Sequence, residues 1–274
     1  MSAADSSAVI ARLRAVGCVF AEDEARLLIA EARTPAELDT MVRRRVDGLP
    51  LEHILGWAEF AGRRVAVGPG VFVPRRRTEF LARQAIRYAH PGAVVVDLCC
   101  GSGAVGTTVA TALDDVDLYA ADLDPAAVEC ARRNVIPVGG QVFQGDLYTP
   151  LPATLRGRVD VLTANAPYVP TDAIELMPPE ARVHEPQTAL DGGADGLDIL
   201  RRVIAGASTW LTGEGAVLVE SSERQAPELA KALTHNGFRP RVASSGEFGA
   251  TVVIGTRGAD PTFAEAPDSA QPDG

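Results

Sequence analysis

The sequence predicts an α/β fold: a doubly wound, mostly parallel seven-stranded sheet behind a small N-terminal helical domain and a β-hairpin connector. Three observations carry that reading. From Thr78 onward, short apolar runs alternate with Ala-rich stretches of helical length. Before Gly48 the apolar residues keep a helical period instead, and a glycine-containing turn follows the first buried run. Alternating strands and helices imply parallel strands whose crossover helices cover both faces of the sheet.

Taken in order, Val9, Ile10, Leu13 and Val16 keep a helical period, and Ala25, Leu27, Leu28 and Ile29 form a second apolar cluster. Thr34 precedes Pro35, with Glu37 three residues after Thr34. This is a capping-box start for a third helix running toward Val46. Gly48, Leu49 and Pro50 end the helical unit, residues 1–50. In the connector, residues 51–77, the pieces AEF, RRVAV and VFV read as short strands, separated by Ala61-Gly62 and Gly68-Pro69-Gly70. In residues 78–258 the strand candidates are 94–98, 116–122, 141–146, 159–165 and 215–220, with 238–243 and 251–256 as a final pair. Helical stretches run over 104–113, 125–134 and 197–211. Residues 259–274, rich in Pro, Ala and acids, read as a disordered tail.

A chain of 274 residues, 46% hydrophobic, can bury a sizeable core. No apolar stretch reaches the roughly 18 residues that cross a bilayer, and MSAADSSAVIARLRAVG lacks a signal peptide's basic start and apolar core. The expectation is a soluble, cytoplasmic, monomeric protein with no membrane partner. Cys18, Cys99, Cys100 and Cys130 form no CxxC pair and have no histidine at ligand spacing, so four buried thiols are expected rather than a metal site or disulfides. A net charge of -10 disfavours a nucleic-acid substrate, because phosphate contacts need clustered cations. Arginine runs at 43–45, 63–64 and 75–77 leave room for a local anionic contact.

The run VVVDLCCGSGAVG joins the first strand of the sheet to a helix. In an open α/β sheet that turn borders the ligand crevice, where Gly101 and Gly103 let a ligand approach the backbone. Asp97 ends this strand and Asp122 the next, nineteen residues after Gly103; an acid there can accept both hydroxyls of a ribose. Gly106 keeps a dinucleotide open as the ligand. S-adenosylmethionine needs no phosphate cradle, only a glycine turn, a ribose acid and a strand-end group beside its adenine. Asp146, with Leu147 as the apolar contact, supplies the last.

Asn165-Ala166-Pro167-Tyr168 ends the fourth strand of the sheet, beside the first, and faces the same crevice. An amide or exocyclic amino nitrogen is a poor nucleophile because its lone pair is delocalised. The Asn165 side-chain oxygen and the Ala166 carbonyl can accept its protons and aim the lone pair at a methyl group, while Tyr168 packs over the planar target. The cluster suits N-methylation and not hydride transfer. Methylation of a nucleic-acid base, or cofactor binding without catalysis, remains compatible with these residues.

At this point the sequence resembles the HemK/PrmC-type protein-(glutamine-N5) methyltransferases, class I S-adenosylmethionine-dependent enzymes with a Rossmann-like fold. The resemblance spans roughly residues 10–257. PLEHILGWAEFAGRRVAVGPGVFVPRRRTEFL resembles the family's connector, which ends in Pro-Arg-Pro-Glu-Thr-Glu, and HEPQTALDGGADGLDILRRVI resembles its Glu-Pro-x-x-Ala-Leu-x-Gly-Gly-x-Asp-Gly-Leu segment. By position, the resemblance places the cofactor loop on Cys99, Cys100, Gly101, Ser102 and Gly103. It places the ribose acid on Asp122, the adenine-side residue on Leu147 and the family's Asn-Pro-Pro-Tyr on Asn165–Tyr168. It implies S-adenosyl-L-methionine as cofactor, an N-terminal domain that recognises substrate, and a protein substrate carrying a glutamine, such as a peptide-chain release factor. Three departures stand out: Cys99 for the first loop glycine, Ala166 for the first proline, and Arg76 and Arg77 for the connector's second proline and first glutamate. The two arginines add positive charge near the expected substrate entrance.

Overall fold

The computed structural model describes residues 3–177 and 179–258; the tail expected at 259–274 lies outside the described residues. Helices α1 (Ala3–Ala15), α2 (Ala21–Glu31) and α3 (Pro35–Val46) open the chain, and a short α4 (Leu51–Leu55) follows. Leu13, Leu28 and Val42 are fully buried between them, with Ile54 of α4 in the same cluster. At the start of α3 the Glu37 N–H donates to Thr34 Oγ1 at 3.1 Å. The Glu37 carboxylate accepts the N–H of Arg33 at 2.8 Å, one residue earlier than a capping box would have it. Arg45 reaches from α3 to Glu24 on α2 with two bonds, 2.6 and 3.1 Å, so this member of the first arginine run is internal glue.

The connector is a two-stranded antiparallel hairpin, β1 (Trp57–Phe60) and β2 (Arg63–Ala66). Its two-residue turn, Ala61-Gly62, has positive φ at both positions, as a turn matching the strands' right-handed twist requires. Arg64 ties the hairpin to α2 through Glu31 at 2.7 Å and lies over the Trp57 ring. Val71–Val73, expected as a strand, is irregular. A strand needs a neighbouring backbone edge; here the Val71 carbonyl meets His53 Nε2 at 2.9 Å and the Val73 N–H donates to Glu185 Oε1 at 3.3 Å.

The remainder forms the seven-stranded sheet. In chain order come α5 (Glu79–Tyr88), β3 (Val94–Leu98), α6 (Ala104–Ala112), β4 (Asp117–Asp122), α7 (Pro125–Val135), β5 (Gln141–Gln144) and β6 (Val159–Ala164). They are followed by α8 (Pro179–His184), α9 (Asp198–Trp210), β7 (Leu211–Ser221), α10 (Ala226–His235), β8 (Arg239–Ser245) and β9 (Ala250–Thr256). The strand order is β5-β4-β3-β6-β7-β9-β8. Only the β7–β9 and β8–β9 pairs are antiparallel. Strand order reverses around β3, flanked by β4 and β6, so the ends of these three strands frame a crevice.

One face of the sheet buries Leu162, Val217 and Val219 against Leu200, Ile204 and Leu229. The other buries Val95, Leu118 and Leu218 against Leu81 and Val109. Each such side chain is worth roughly 1.5–3 kcal/mol of burial. Strand β7 starts at Leu211, earlier than the apolar run from 215 suggests, and its register against β6 shifts between Val159 and Val161. None of the four cysteines is in a disulfide among the described residues, but only Cys100 and Cys130 are buried; Cys18 and Cys99 are half-buried, which corrects the expectation for those two. Among the described residues no helix is long and apolar enough to cross a membrane.

Candidate active site

The turn from β3 into α6 is built from left-handed residues: Cys99, Gly101 and Gly103 have φ of 52, 55 and 76°. Gly103 is required twice over, because a Cβ there would also lie 2.7 Å from a Val135 methyl. A Cβ on Gly101 would meet no atom within 4 Å, so that side of its backbone is open to approach. Cys99 holds without a glycine the conformation a glycine adopts freely, at a cost of roughly 1–2 kcal/mol. Asn134 on α7, which the sequence did not single out, steadies this turn. Its side-chain amide donates to the carbonyls of Ser102 (2.8 Å) and Ala66 (2.9 Å) and accepts the Ala66 N–H at 2.8 Å.

Asp97 does not end its strand, as the sequence suggested; Leu98 does, and Asp97 is 2% exposed. Its two oxygens accept the Gly106 N–H at 3.0 Å and the Thr163 hydroxyl at 2.8 Å, bracing β3 against α6 and β6. Burial pushes its pKa up to about 6, against the pull of both hydrogen bonds. Gly106 is explained by packing: a Cβ there would meet Leu118 at 2.8 Å.

Asp122 does end β4. One oxygen accepts the Gly101 N–H at 2.8 Å and the other the Asp124 N–H at 3.0 Å, so the acid is locked to the turn it faces. Each oxygen keeps a second lone pair for a hydroxyl donor. Burial raises its pKa, with the backbone donors opposing. Asp146 lies two residues beyond the end of β5 rather than at it, and accepts from Arg202 of α9 at 2.6 Å. Leu147 is half-buried with a left-handed φ of 47°. Sequence spacing gave no sign of Arg202, because its partner lies 56 residues away.

Asn165 follows the last residue of β6, and its amide nitrogen donates to Thr78 Oγ1 at 3.2 Å, leaving its oxygen as the acceptor. Thr78, buried beside the connector's last turn, is a site residue that the sequence analysis did not single out. Ala166 is buried. The Tyr168 hydroxyl donates to Glu220 Oε1 at 3.0 Å, and its carbonyl accepts Gln225 Nε2 at 2.9 Å. Burial first, then the Glu220 charge, pushes the phenol's pKa above its ordinary value, so it stays a neutral donor.

The Gly-Gly-x-Asp-Gly run wraps this turn. Val169 bridges Asp191, and the Gly192 N–H donates to the Val169 carbonyl at 2.9 Å. A Cβ on Gly192 would lie 2.7 Å from the Pro167 oxygen, and one on Gly196 2.3 Å from that of Tyr168. These glycines let one backbone lie directly on the other.

A cleft of about 930 Å³ brings the pieces together. Asp97, Cys99, Cys100, Gly101, Ser102, Asp122, Asp146, Leu147 and Asn165–Tyr168 border it, as do Arg75 and Arg77 of the connector and Thr78 directly after it. Gly103 sits behind, packed toward Val135. Of the two arginines that depart from the family pattern, Arg77 borders the cleft as an ion-paired charge and Arg76 does not border it. Arg77 is paired to buried Glu220 at 3.2 Å, Arg75 to buried Glu185, and Arg76 lies over the Phe248 ring, away from the cleft walls.

Comparison with known proteins accords with this architecture. The methyltransferase small domain family matches residues 64–195. A release factor glutamine methyltransferase of Geobacter sulfurreducens is 35% identical over 219 residues, 79% of this chain and 76% of that one. A 4-amino-L-phenylalanine/4-methylamino-L-phenylalanine methyltransferase of Streptomyces pristinaespiralis is 34% identical over 247 residues, 80% of this chain and 84% of that one. Among solved structures, a methyltransferase of Pyrococcus furiosus superposes with a TM-score of 0.55 at 15% identity, over 72% of this chain and 90% of that one, which speaks for the fold. With relatives this similar along most of their length, and the connector, loop and Asn-Ala-Pro-Tyr turn meeting in one cleft, the chain belongs to the HemK/PrmC-type protein-(glutamine-N5) methyltransferases.

Proposed function

We propose that the protein transfers a methyl group from S-adenosyl-L-methionine to the side-chain amide nitrogen of a glutamine in a peptide-chain release factor. The observation that carries this reading is the placement of Asn165, its nitrogen held by Thr78 and its oxygen left to accept, in the same cleft as Asp122 and the Cys99–Gly103 turn. The residues present fit the cofactor. Asp122 keeps lone pairs for a diol, Gly101 leaves its backbone open, and the cleft lies at the large end of the roughly 300–1,000 Å³ range of ligand sites, room for a second molecule. Asp122 would hold the ribose, Asp146 and Leu147 the adenine, and the turn the amino-acid end. When bound, the cofactor supplies an electrophilic methyl on a sulfonium sulfur.

The chain's own residues orient the acceptor. The Asn165 oxygen and the Ala166 carbonyl take hydrogen bonds from the glutamine amide, which localises its lone pair and fixes its direction. No strong base is needed, since the nitrogen becomes acidic once alkylated and loses its proton afterwards. Tyr168, neutral and anchored by Glu220, covers the planar amide. The N-terminal helices, joined to the connector through Arg64 and Glu31, recognise the protein substrate beside the cleft. The protein works in the cytoplasm as a monomer.

The test is transfer of labelled methyl from S-adenosylmethionine to purified release factor. Label confined to the glutamine, and lost when that glutamine is replaced, supports the assignment; an unlabelled release factor refutes it. A second reading, methylation of an aromatic amine, is favoured by the similarity to the aminophenylalanine enzyme along 84% of its length. The same acceptor pair would serve an arylamine, so 4-amino-L-phenylalanine belongs in the assay as a competing acceptor.

A further inference from the structure

Arg77 stands where the family carries an acid, and the structure shows what it touches. Its Nε donates to Glu220 Oε1 at 3.2 Å, the same oxygen that accepts the Tyr168 hydroxyl at 3.0 Å. Its guanidinium carbon lies 5.8 Å from the centre of the Tyr168 ring, within cation–π range. Glu220 sits near the end of β7, 1% exposed, and its second oxygen has no hydrogen-bond partner. A buried carboxylate is costly unless a cation and donors face it. Arg77 and Tyr168 are the donors found on it among the described residues.

We propose that Arg77 is a positioning residue for methyl transfer: acting through buried Glu220, it fixes the hydroxyl and therefore the ring of Tyr168 above the acceptor nitrogen. The proposal rests on the reading that Asn165–Tyr168 orient that nitrogen. The chain of contact is short and directional. The connector places Arg77 one residue before Thr78, so one turn holds both ends of the Asn-Ala-Pro-Tyr cluster: Thr78 the Asn165 amide, Arg77 and Glu220 the tyrosine. An acid at position 77 would put two carboxylates side by side against the ring, and their repulsion would move Glu220 or the connector. The exchange of an acid for Arg77 therefore changes how Tyr168 is held, without changing the acceptor pair.

The experiment reads Tyr168 directly, in cofactor-free protein labelled with 3-fluorotyrosine. The chain has four tyrosines, and Tyr168→Phe identifies one fluorine signal. Arg77→Met and Glu220→Gln should each move the Tyr168 signal while the other three stay, and Arg77→Lys should restore most of its position. Arg76→Met, which removes a side chain that rests on Phe248, should move nothing. Arg77 is half exposed, so its truncation leaves the core intact even if Glu220→Gln does not fold. In the methyl-transfer assay, Arg77→Met should lower kcat about tenfold with cofactor affinity unchanged, since small misplacements at a reacting centre are costly. A Tyr168 signal unmoved by Arg77→Met overturns the proposal, as does a moved signal with unchanged kcat. A wild-type protein that does not methylate release factor would refute the assigned reaction instead, and the fluorine signal would still judge the positioning.

Discussion

Asp97→Asn separates the cost of a buried charge from the bonds it makes. In the fold the Asp97 pKa is pushed from 3.8 up to about 6, chiefly by burial. A pKa unit is worth about 1.4 kcal/mol, so ionised Asp97 costs the folded state about 3 kcal/mol relative to the protonated acid. The sign follows from proton linkage. Below pH ~4 the group is protonated in both states and contributes no penalty. Between pH ~4 and ~6 the unfolded chain ionises while the fold retains its proton, so stability falls as pH rises, and above ~6 the full penalty remains. The replacement amide has the same shape, keeps an acceptor for the Gly106 N–H and offers Thr163 a donor. Urea unfolding of cofactor-free wild type and variant at intervals from pH 4 to 7.5 isolates the effect, because other groups cancel in the difference. The variant should gain about 3 kcal/mol on wild type across that range. Parallel pH profiles for the two proteins would refute the reasoning.

Three further outcomes follow from the site. Asn165→Ala should lower kcat for methyl transfer by about a hundredfold or more, the usual loss when one oriented hydrogen-bonding group is removed from a reacting centre; full transfer in a radiolabel assay would remove Asn165 from the mechanism. Thr78→Val deletes the acceptor for the Asn165 amide at 3.2 Å, and steady-state kinetics should show kcat reduced about tenfold with cofactor affinity, measured by calorimetry, within twofold of wild type. Cys99→Gly relieves a left-handed non-glycine residue, and its denaturation midpoint should rise by the equivalent of about 1 kcal/mol.

The order of elements and the chemistry at the strand ends are legible in the residues alone. The VVVDL run, the β4 run ending at Asp122 and the run before Asn165 are apolar because these strands are buried by helices on both faces, and burial writes itself into composition. Thr34 marked a helix start and Ala61-Gly62 a hairpin because each conformation needs those local residues. Contacts between distant segments leave no such local signature. Packing alone settled that Val71–Val73 has no strand partner among the described residues and that Asp97 braces a buried joint. It alone paired Asp146 with Arg202 and Arg45 with Glu24. It also decided that the Gly-Gly-x-Asp-Gly run is small because another backbone lies upon it, and that Arg77 is committed to Glu220, 143 residues away. A side chain's partner is set by where the sheet order brings separate turns together, and that order puts β6 beside β3 and β7 beside β6. Local pattern fixes the strands; the energy of packing them chooses their neighbours, and the neighbours make the site.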